Sequence, residues 1–462
     1  MTASAPAAAV RVESAEPQVF GHPRGLVFLF STEMWERFSF YGMKALLTLY
    51  MVKYLLAPEV ADGVIGFGAF RHLLEFLFGP LDTQPLASQI YGWYSGLVYL
   101  TPIFGGLLAD RVLGQRRTVI LGASLMAAGH FLMAWESTFL LALLLLILGS
   151  GAFKPNISTQ VGGLYAPGDA RRDRAYSIFY VGINLGAFFS PLVCGTLGEV
   201  YGWHYGFTAA GIGMVIGLII YLLALRTLPP DQLQKSRASE AAPAALTAEE
   251  RRAIVGLLVL FVPVTFFWAT YEQQGNTIVL WADGYSNRAI DLLVWQGTIP
   301  TTWFLAFNPF MIFAFTPFVV ALWKHQAARG REPSTVAKMA LGCLGVVVAN
   351  LVLAAAAWTA GGGKASWLWL FFYFVVITVG ELYLSPTSLS LVTKLAPAKL
   401  LSMMMGVWLA TSFTGNFIAG WLGSLWSGME KPQFFLMIAA IAGLAAACIA
   451  AFSRPLARRI TA

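Results

Sequence analysis

The chain has 462 residues, of which 58% are hydrophobic and 11% charged, and its formal net charge is +7. Soluble proteins carry about 25% charged residues, so this composition excludes an ordinary soluble protein and indicates a membrane protein. Apolar stretches of about 20 residues, each long enough to cross a bilayer core of about 30 Å, recur along the chain. We place twelve such stretches, centred near residues 40, 98, 125, 148, 187, 215, 265, 312, 347, 378, 411 and 442.

Basic residues indicate the orientation of these helices, because cytoplasmic loops of membrane proteins accumulate Lys and Arg. With the N-terminus inside, most of the 30 basic residues fall on cytoplasmic loops. This bias fits an even number of crossings with both termini in the cytoplasm, and it explains the positive charge without a nucleic-acid partner. The exceptions are Lys53, Arg71, Arg288, Lys364 and Lys431 on outer loops and Arg37, Lys44 and Lys154 at membrane depth.

The longest polar interruption, RTLPPDQLQKSRASEAAPAALTAEERR, divides six predicted helices from six. Two six-helix bundles with such a linker are the architecture of the major facilitator superfamily, whose substrate site lies near the midplane between the halves. We therefore predict an all-α polytopic membrane protein with this fold and twelve transmembrane helices. Its predicted parts are a disordered cytoplasmic tail (1–24), a first bundle (25–226), a cytoplasmic linker (227–252), a second bundle (253–455) and a cytoplasmic tail (456–462).

Two shorter signals lie in the predicted loops. The pattern Thr247 to Glu250 is a capping box, which predicts a short helix within the linker. The outer loop between residues 57 and 88 contains FRHLLEFLF, which predicts a small interfacial helix.

Helix 1 contains EMWERFSFYGMK, which places four charges inside an apolar segment. A charged side chain at the bilayer centre costs roughly 2.5–3.5 kcal/mol. Glu33, Arg37, Tyr41 and Lys44 lie three or four residues apart and therefore share one helical face. We predict that this polar stripe lines a wet cavity. The alternative is a stabilising Glu–Arg pair within the helix.

Other ionisable residues inside predicted helices are candidates for partners of this stripe. Lys154 in helix 4 adds a cation to the first half, whereas Glu272 in helix 7 and Glu381 in helix 10 supply carboxylates to the second. A peptide near neutral pH has an ammonium at one end and a carboxylate at the other. Cations on one wall and carboxylates on the opposite wall match that dipole, with Arg37 as a fork for the carboxylate.

Three motifs in chain order support a family assignment. They are Glu33-x-x-Glu36-Arg37 in helix 1, GGLLADRVLGQRRTV with Asp110 between helices 2 and 3, and YSIFYVGINLGAF with Asn184 in helix 5. Together they resemble the signatures of the proton-dependent oligopeptide transporter family, and the resemblance covers nearly the whole chain. It implies a symporter that imports di- and tripeptides with protons by alternating access.

The resemblance also implies roles for individual residues. Arg37 and Lys154 match the residues that hold the peptide C-terminus, and Glu381 matches the residue that holds the N-terminus. Phe40 stands where many family members have Tyr, and Lys44 stands where Arg is frequent. The further matches are Tyr41, Tyr99, Asn184 and Asn308, which bind the peptide backbone or line the site, and Trp268 and Trp408, which lie beside side-chain pockets; for these six, plain packing is the alternative.

Proton coupling requires a carboxylate whose protonation changes what its neighbours bind. Glu33 and Glu36 lie within a turn of Arg37. When they are ionised they compete for its guanidinium, and when they are protonated they release it to the substrate. Glu272 is a third proton-coupling candidate, and with Lys44 it matches a pair that closes the outer side. We also assign gating roles to Asp110 and to Pro386, which lets the inner end of helix 10 bend.

Two other functions remain open from the sequence. A facilitator for another small anion or metabolite, such as nitrate or an organic compound, would share the fold. A membrane enzyme would need a nucleophile motif, a nucleotide loop or a metal cluster, and we find none of these in the sequence. We therefore predict a non-enzymatic transporter of the bacterial cytoplasmic membrane that works as a monomer, is driven by the proton gradient and needs neither cofactor nor metal.

Overall fold

The computed structural model describes residues 18–166, 168–231, 246–292, 295–397 and 400–460. Within these ranges, twelve α-helices have 18 residues or more, and each contains one of the predicted centres. They are α1 (Arg24–Tyr50), α2 (Thr83–Leu100), α3 (Gln115–Leu132), α4 (Phe139–Gly163), α5 (Arg171–Thr196), α6 (Trp203–Ala224), α7 (Ala248–Tyr271), α8 (Phe307–Ala328), α9 (Thr335–Ala360), α10 (Leu368–Leu395), α11 (Leu401–Ser424) and α12 (Lys431–Ile460).

Shorter helical segments extend or connect these helices. Within the described ranges four are α-helical, namely Pro58–Ala61, Phe67–Phe78, Pro102–Leu108 and Thr277–Gly284. The structure also describes the 3₁₀ turns Glu136–Thr138, Glu272–Gly275 and Thr301–Ala306 and the π-helical turns Met51–Leu55, Ala109–Leu113 and Leu197–Tyr201.

Three small strand pairs among the described residues correct the all-α prediction to a nearly all-helical fold. Strands of two to four residues form where connecting segments run side by side and pair backbone groups that no helix satisfies. The antiparallel pairs are β1 (Gln18–Val19) with β2 (His22–Pro23) and β4 (Ala289–Leu292) with β5 (Trp295–Thr298), and the parallel pair is β3 (Ser286–Asn287) with β6 (Ala365–Ser366).

Nine helical segments among the described residues are long and apolar enough to cross a membrane. The long helices outside this set are α1, α3 and α11. In α1 the charged residues of the polar stripe lower the hydropathy of the segment, as the sequence shows. The fold is therefore that of a multi-pass membrane protein.

The long helices pack as two groups. In the first group, α1 packs against α5 and α6, and α3 packs against α4. In the second, α9 packs against α10 and α12, and α7 packs against α11. The largest buried apolar clusters follow the same division, one within residues 26–228 and the other, apart from Leu49, within residues 260–449. We call residues 18–231 the first half and residues 246–460 the second half.

The two halves meet along α2 with α11 and along α5 with α8. At the first contact, a Cβ added to Gly92 would lie 2.6 Å from the Cα of Gly420, and a Cβ added to Gly420 would lie 2.8 Å from the Ser88 carbonyl oxygen. Only glycine allows two helices to approach so closely. The halves therefore touch backbone to backbone at this crossing.

Several predicted boundaries shift in the structure. The capping box at Thr247 and Glu250 is formed, but it starts α7 itself rather than a separate linker helix. Helix α7 therefore begins inside the segment predicted as linker, of which residues 232–245 lie outside the described ranges. Helix α12 continues to Ile460 and so enters the predicted tail. Residues 1–17 of the predicted N-terminal tail also lie outside the described ranges.

The predicted interfacial helix is present and runs from Phe67 to Phe78. Phe67 and Leu74 are buried against the bundle, whereas Phe76 is 85% exposed. This helix lies at the end of the molecule where α1 ends and α2 begins, which we call the distal end. The opposite end, which holds Gln18 and Ile460, is the terminal end.

Candidate functional site

A cavity of about 290 Å³ lies between the two halves. Side chains of α1, α2 and α5 line it from the first half, and side chains of α7, α8 and α10 with the turn after α7 line it from the second. Eight residues predicted from the sequence are among its lining: Tyr41, Lys44, Tyr99, Asn184, Trp268, Glu272, Asn308 and Glu381. Sequence reasoning missed Tyr91, Tyr180, Tyr271 and Gln274, which also line it.

A buried charge cluster lies one helical turn from the cavity wall on α1. The Nε of Arg37 lies 2.8 Å from Glu33 Oε1 and 2.6 Å from Glu36 Oε2, and all three side chains are buried. The single Nε–H donates its hydrogen bond to Glu33, so the closer contact with Glu36 is a charge pair. The terminal nitrogens of Arg37 make no hydrogen bond to any residue that the structure describes, which leaves the guanidinium fork available to a ligand.

This geometry corrects the prediction of one continuous stripe along a wet cavity. Tyr41 and Lys44 line the cavity, but Glu33 and Arg37 are buried beside it. The Glu–Arg pair within the helix, which was the alternative, is formed. The pair forms because Glu33 and Arg37 are four residues apart, which places the two side chains next to each other on α1.

Lys154 of α4 is the second cation of this region. Its Nζ lies 4.1 Å from the centre of the Phe40 ring and 5.5 Å from the centre of the Tyr99 ring. We find no ion pair or hydrogen bond from its ammonium to the residues described. Because Tyr99 also lines the cavity, Lys154 lies directly behind the cavity wall.

On the second half, Glu381 presents a fixed carboxylate to the cavity. Its Oε2 accepts hydrogen bonds from the Tyr271 hydroxyl at 2.6 Å and from Asn308 Nδ2 at 2.8 Å. Asn308 also donates to Thr378 Oγ1 at 3.1 Å. The other oxygen of Glu381 has no hydrogen-bond donor within the described ranges. The only sequence signal for Tyr271 was its place next to Glu272 in FFWATYEQQGN.

The predicted pair of Lys44 and Glu272 is in contact across the two halves. Lys44 Nζ lies 2.9 Å from Glu272 Oε2, and one turn further along α1 the Thr48 hydroxyl donates to the Gly275 carbonyl oxygen at 2.7 Å. Both contacts lie on the distal side of the cavity. More hydrogen bonds join the halves at this end, between Lys53 and Asp283, Ser88 and Asn276, Gln84 and Gly423, and Thr196 and Trp303.

Glu199 forms a further contact between the halves that sequence reasoning missed. Its carboxylate accepts the backbone N–H of Thr301 at 2.8 Å and that of Thr302 at 2.7 Å, together with the Thr302 hydroxyl at 2.7 Å. The first N–H groups of a helical turn have no partner within the helix. Glu199 of the first half thus caps a 3₁₀ turn of the second half. Sequence analysis could not find this contact, because the partners lie about 100 residues apart in the chain.

We expect Glu199→Ala to weaken the contact between the two halves at the distal end. Hydrogen bonds to a charged group contribute about 1.5–3 kcal/mol each when buried, and partial exposure reduces this. A loss of about 1 kcal/mol or more would shift the ratio of open to closed distal ends by at least about fivefold. Spin labels at the exposed positions Tyr201 and Trp358, with the native cysteines replaced, would measure the distance between the halves.

Glu136→Ala is the matched control, since Glu136 accepts a hydrogen bond from Tyr54 within the first half. It should leave the distance distribution unchanged. An unchanged distribution in Glu199→Ala as well would show that the capped turn does not hold the halves together.

Besides the four charged residues behind the wall, three more predicted site residues lie away from the cavity lining. Trp408 donates from its indole nitrogen to Ser388 Oγ at 3.3 Å and packs against a small buried cluster of the second half. Asp110 lies in the π-helical turn Ala109–Leu113 near the terminal end. Pro386 lies inside α10 and is exposed.

Comparison with protein families supports the resemblance seen in the motifs. The model of the POT family matches residues 116–247 and 231–437. A di-/tripeptide transporter of Lactococcus lactis subsp. cremoris is 33% identical over 92% of this chain and 94% of its own. The peptide transporter YePEPT of Yersinia enterocolitica subsp. palearctica is 33% identical over 87% of this chain and 88% of its own.

Solved structures agree in fold. A POT peptide transporter in complex with sulfate superposes with a TM-score of 0.82 at 32% identity, covering 96% of each chain. A POT family transporter in complex with 5-aminolevulinic acid superposes with a TM-score of 0.81 at 28% identity, covering 96% of this chain and 98% of its own.

Proposed function

Because this chain belongs to the POT family, we propose that it is a proton-coupled symporter that imports di- and tripeptides by alternating access. It is a membrane transporter and not an enzyme. The similar proteins named as di-/tripeptide and peptide transporters support peptides as the substrate class.

The observation that carries the proposal is the opposite charge on the two walls of the cavity. Behind the first-half wall lie Arg37, with its fork free, and Lys154, without an ionic partner among the residues described. On the second-half wall lies Glu381, with one oxygen free of donors in the described structure. We propose that the cations bind the peptide carboxylate and that Glu381 binds the ammonium.

The cavity volume fits a small ligand, since ligand pockets measure about 300–1,000 Å³. Around these charged groups, we propose that Tyr41, Tyr99, Asn184 and Asn308 bind the peptide backbone or line the site. The aromatic residues Trp268 and Trp408 would border the side-chain pockets. Of this set, the cavity lining includes all but Trp408.

We propose that Glu33 and Glu36 couple this binding to protons. Both carboxylates contact the Nε side of Arg37, so their ionised forms compete with the substrate carboxylate for the charge of the guanidinium. Protonation removes that attraction and releases Arg37 to the substrate. Each inward proton gains about 2.3 kcal/mol per 100 mV of membrane potential, which is the driving force for accumulation.

Glu272 would act as the third proton-coupling residue and as a gate. Its carboxylate pairs with Lys44 across the halves, so its protonation would break a contact that closes the distal end. Because the bonds between the halves concentrate at the distal end, we propose that this conformation opens toward the terminal end. Asp110 and Pro386 would act in the opposite phase, when the terminal end closes.

We further propose twelve crossings, both termini in the cytoplasm and two six-helix bundles that rock against each other. The number of long helices, the bias of basic residues and the two separate apolar clusters support this arrangement. The proposed location is the bacterial cytoplasmic membrane, since the named relatives are bacterial. The proton gradient would supply the energy without a cofactor, and a monomer contains both walls of the site.

One observation favours a second candidate substrate. A POT family transporter has been solved in complex with 5-aminolevulinic acid, which carries an amine and a carboxylate like a peptide. The same two walls could hold such a metabolite. Symport of a small amino-ketoacid is therefore the alternative to peptide import.

Transport by the purified protein in liposomes tests the proposal. With acid outside and a negative potential inside, we expect labelled dialanine to accumulate above equilibrium and a protonophore to abolish accumulation. Competition with trialanine, with a C-terminal dipeptide amide and with 5-aminolevulinic acid defines the substrate class. Accumulation of 5-aminolevulinic acid without any peptide uptake would overturn peptide import in favour of the alternative.

Glu381→Gln should weaken binding of dialanine by roughly 30-fold, because losing one partner of a desolvated charge pair costs about 2 kcal/mol or more. The amide oxygen of Gln can still accept from Tyr271 and Asn308, so the scaffold is kept. Its NH₂ would then replace the free oxygen and face the ammonium. Calorimetry with dialanine and with its N-acetyl analogue measures the difference.

The N-acetyl analogue should bind the variant and the original protein with similar affinity. If both ligands lose affinity equally, Glu381 acts in structure or gating instead of in binding the ammonium.

A further inference from the structure

Phe40 of α1 lies between the two cations of the proposed carboxylate site. The centre of its ring is 4.1 Å from Lys154 Nζ and 5.7 Å from Arg37 Cζ. The ring is 3% exposed and packs edge-on against Tyr41 at 5.2 Å between ring centres. A buried aromatic ring thus faces the ammonium where α1 and α4 come together.

Lys154 differs from the other lysines that lie over aromatic rings in the described structure. Lys44 is paired with Glu272, and Lys338 is paired with Glu332. Lys431 donates to backbone carbonyl oxygens. Lys154 has rings within reach and, among the residues described, neither a carboxylate nor a carbonyl acceptor.

The face of an aromatic ring attracts a cation through its negative electrostatic potential. Unlike a carboxylate, the ring leaves the charge of the ammonium intact and accepts no strong hydrogen bond. An ammonium held in this way keeps its three N–H donors for another acceptor. The ring therefore fixes the position of a cation without competing for its donors.

We propose that Phe40 is a positioning residue that holds the Lys154 ammonium ready for the substrate carboxylate. This inference rests on the proposed function, because the carboxylate is that of the peptide. A carboxylate in place of Phe40 would pair with Lys154 and neutralise it, and an aliphatic residue would remove the attraction of the ring. The ring supplies attraction while leaving the charge for the ligand.

Fluorinated phenylalanines at position 40 test the proposal, because each fluorine weakens the negative potential of the ring while its size changes little. We expect the affinity for dialanine to fall stepwise through the mono-, di- and trifluorinated rings, to about tenfold below the original with the last. Affinity for the C-terminal amide of dialanine should change much less. Phe40→Tyr keeps the ring and should bind dialanine well, whereas Phe40→Leu should bind as poorly as the trifluorinated protein.

The same series at Phe38 is the control, since Phe38 is buried on the same helix and packs against Trp35, and no cation of the described residues lies over its ring. Its affinities should not change with fluorination. A flat series at Phe40, a matching decline at Phe38, or equal losses for dialanine and its amide would overturn the positioning role.

The unmodified protein separates this test from the test of the proposed function. If it binds neither dialanine nor trialanine, peptide import fails and the inference fails with it. If it binds dialanine and the Phe40 series is flat, the inference alone is wrong. Thermal unfolding of each variant shows whether a loss of affinity reflects a loss of folded protein, and a decline explained in this way would also overturn the proposal.

Discussion

Dipeptide uptake is expected to fall to background when Arg37 is replaced by Ala. Arg37 is the group with a free fork toward the substrate carboxylate, and it also pairs with Glu33 and Glu36. Removing one partner of a buried ion pair typically costs 3–5 kcal/mol, so this variant loses stability as well as binding. Two further variants separate these effects.

Arg37→Lys keeps the positive charge but not the bidentate fork. We expect it to fold and to bind dialanine at least about tenfold more weakly, with little change for the C-terminal amide. The neutral triple variant Glu33→Gln, Glu36→Gln and Arg37→Ala removes all three charges together, which avoids an unpaired buried charge. It should fold and show no uptake.

Lys394→Ala is the control, because Lys394 is an exposed cation at the end of α10. Its uptake should equal that of the original protein. Normal dialanine uptake by well-folded Arg37→Lys and by the triple variant would rule out Arg37 as the carboxylate ligand.

Glu33→Gln and Glu36→Gln are each expected to stop accumulation of dialanine driven by a proton gradient. Gln mimics the protonated state permanently, so no proton can be released at that position. Exchange of labelled for unlabelled peptide should survive in at least one variant, since binding and rocking do not themselves require a proton to move. Liposomes loaded with unlabelled peptide measure exchange, and empty liposomes measure accumulation.

Glu36→Gln is the variant in which we expect exchange to survive. Glu33 accepts the directional hydrogen bond from Arg37, whereas the two oxygens of Glu36 are buried and make no hydrogen bond in the described structure. Amide replacement at Glu36 therefore breaks fewer directional contacts. Dialanine affinity, which should rise at lower pH in the original protein as Arg37 is released, should become nearly independent of pH.

Glu59→Gln changes an exposed carboxylate at the distal end and serves as the matched control. It should accumulate peptide normally. If Glu33→Gln and Glu36→Gln both retain full accumulation, neither carboxylate couples transport to protons. If both fold but lose exchange and accumulation together, the carboxylates act only by holding Arg37 in place.

The fold could be predicted from the sequence because the mean hydropathy of a whole segment determines whether it forms a membrane helix. Every predicted helix centre falls within a long helix of the structure, and the POT family assignment is confirmed. The charges of helix 1 indicated the site, because placing a charged side chain in apolar surroundings costs free energy and therefore marks a functional position. Boundaries were less accurate, as at α7, where the capping box starts the long helix rather than a linker helix.

Contacts between distant segments could not be predicted. Glu199 finds Thr301 and Thr302 only after the two halves meet, and Phe40 meets Lys154 only after α1 packs near α4. The burial of Glu33 and Arg37 likewise depends on how the helices pack around α1, since spacing alone fixes which side chains share a face. Local patterns determine which groups are available, and tertiary packing determines which of them become partners.

The backbone contact between Gly92 and Gly420 has a kinetic consequence. Interlocked side chains would have to jump between rotamers whenever the angle between α2 and α11 changed, and every jump would raise the activation barrier. Two glycine surfaces lack such side chains and can shift against each other with a low barrier, so the turnover rate is expected to depend on the ion pairs between the halves at the distal end. A methyl group at position 92 would overlap the facing backbone and force the helices apart. The angle between α2 and α11 would then change less easily. The transport cycle would slow although the methyl group contacts neither the peptide nor the proton.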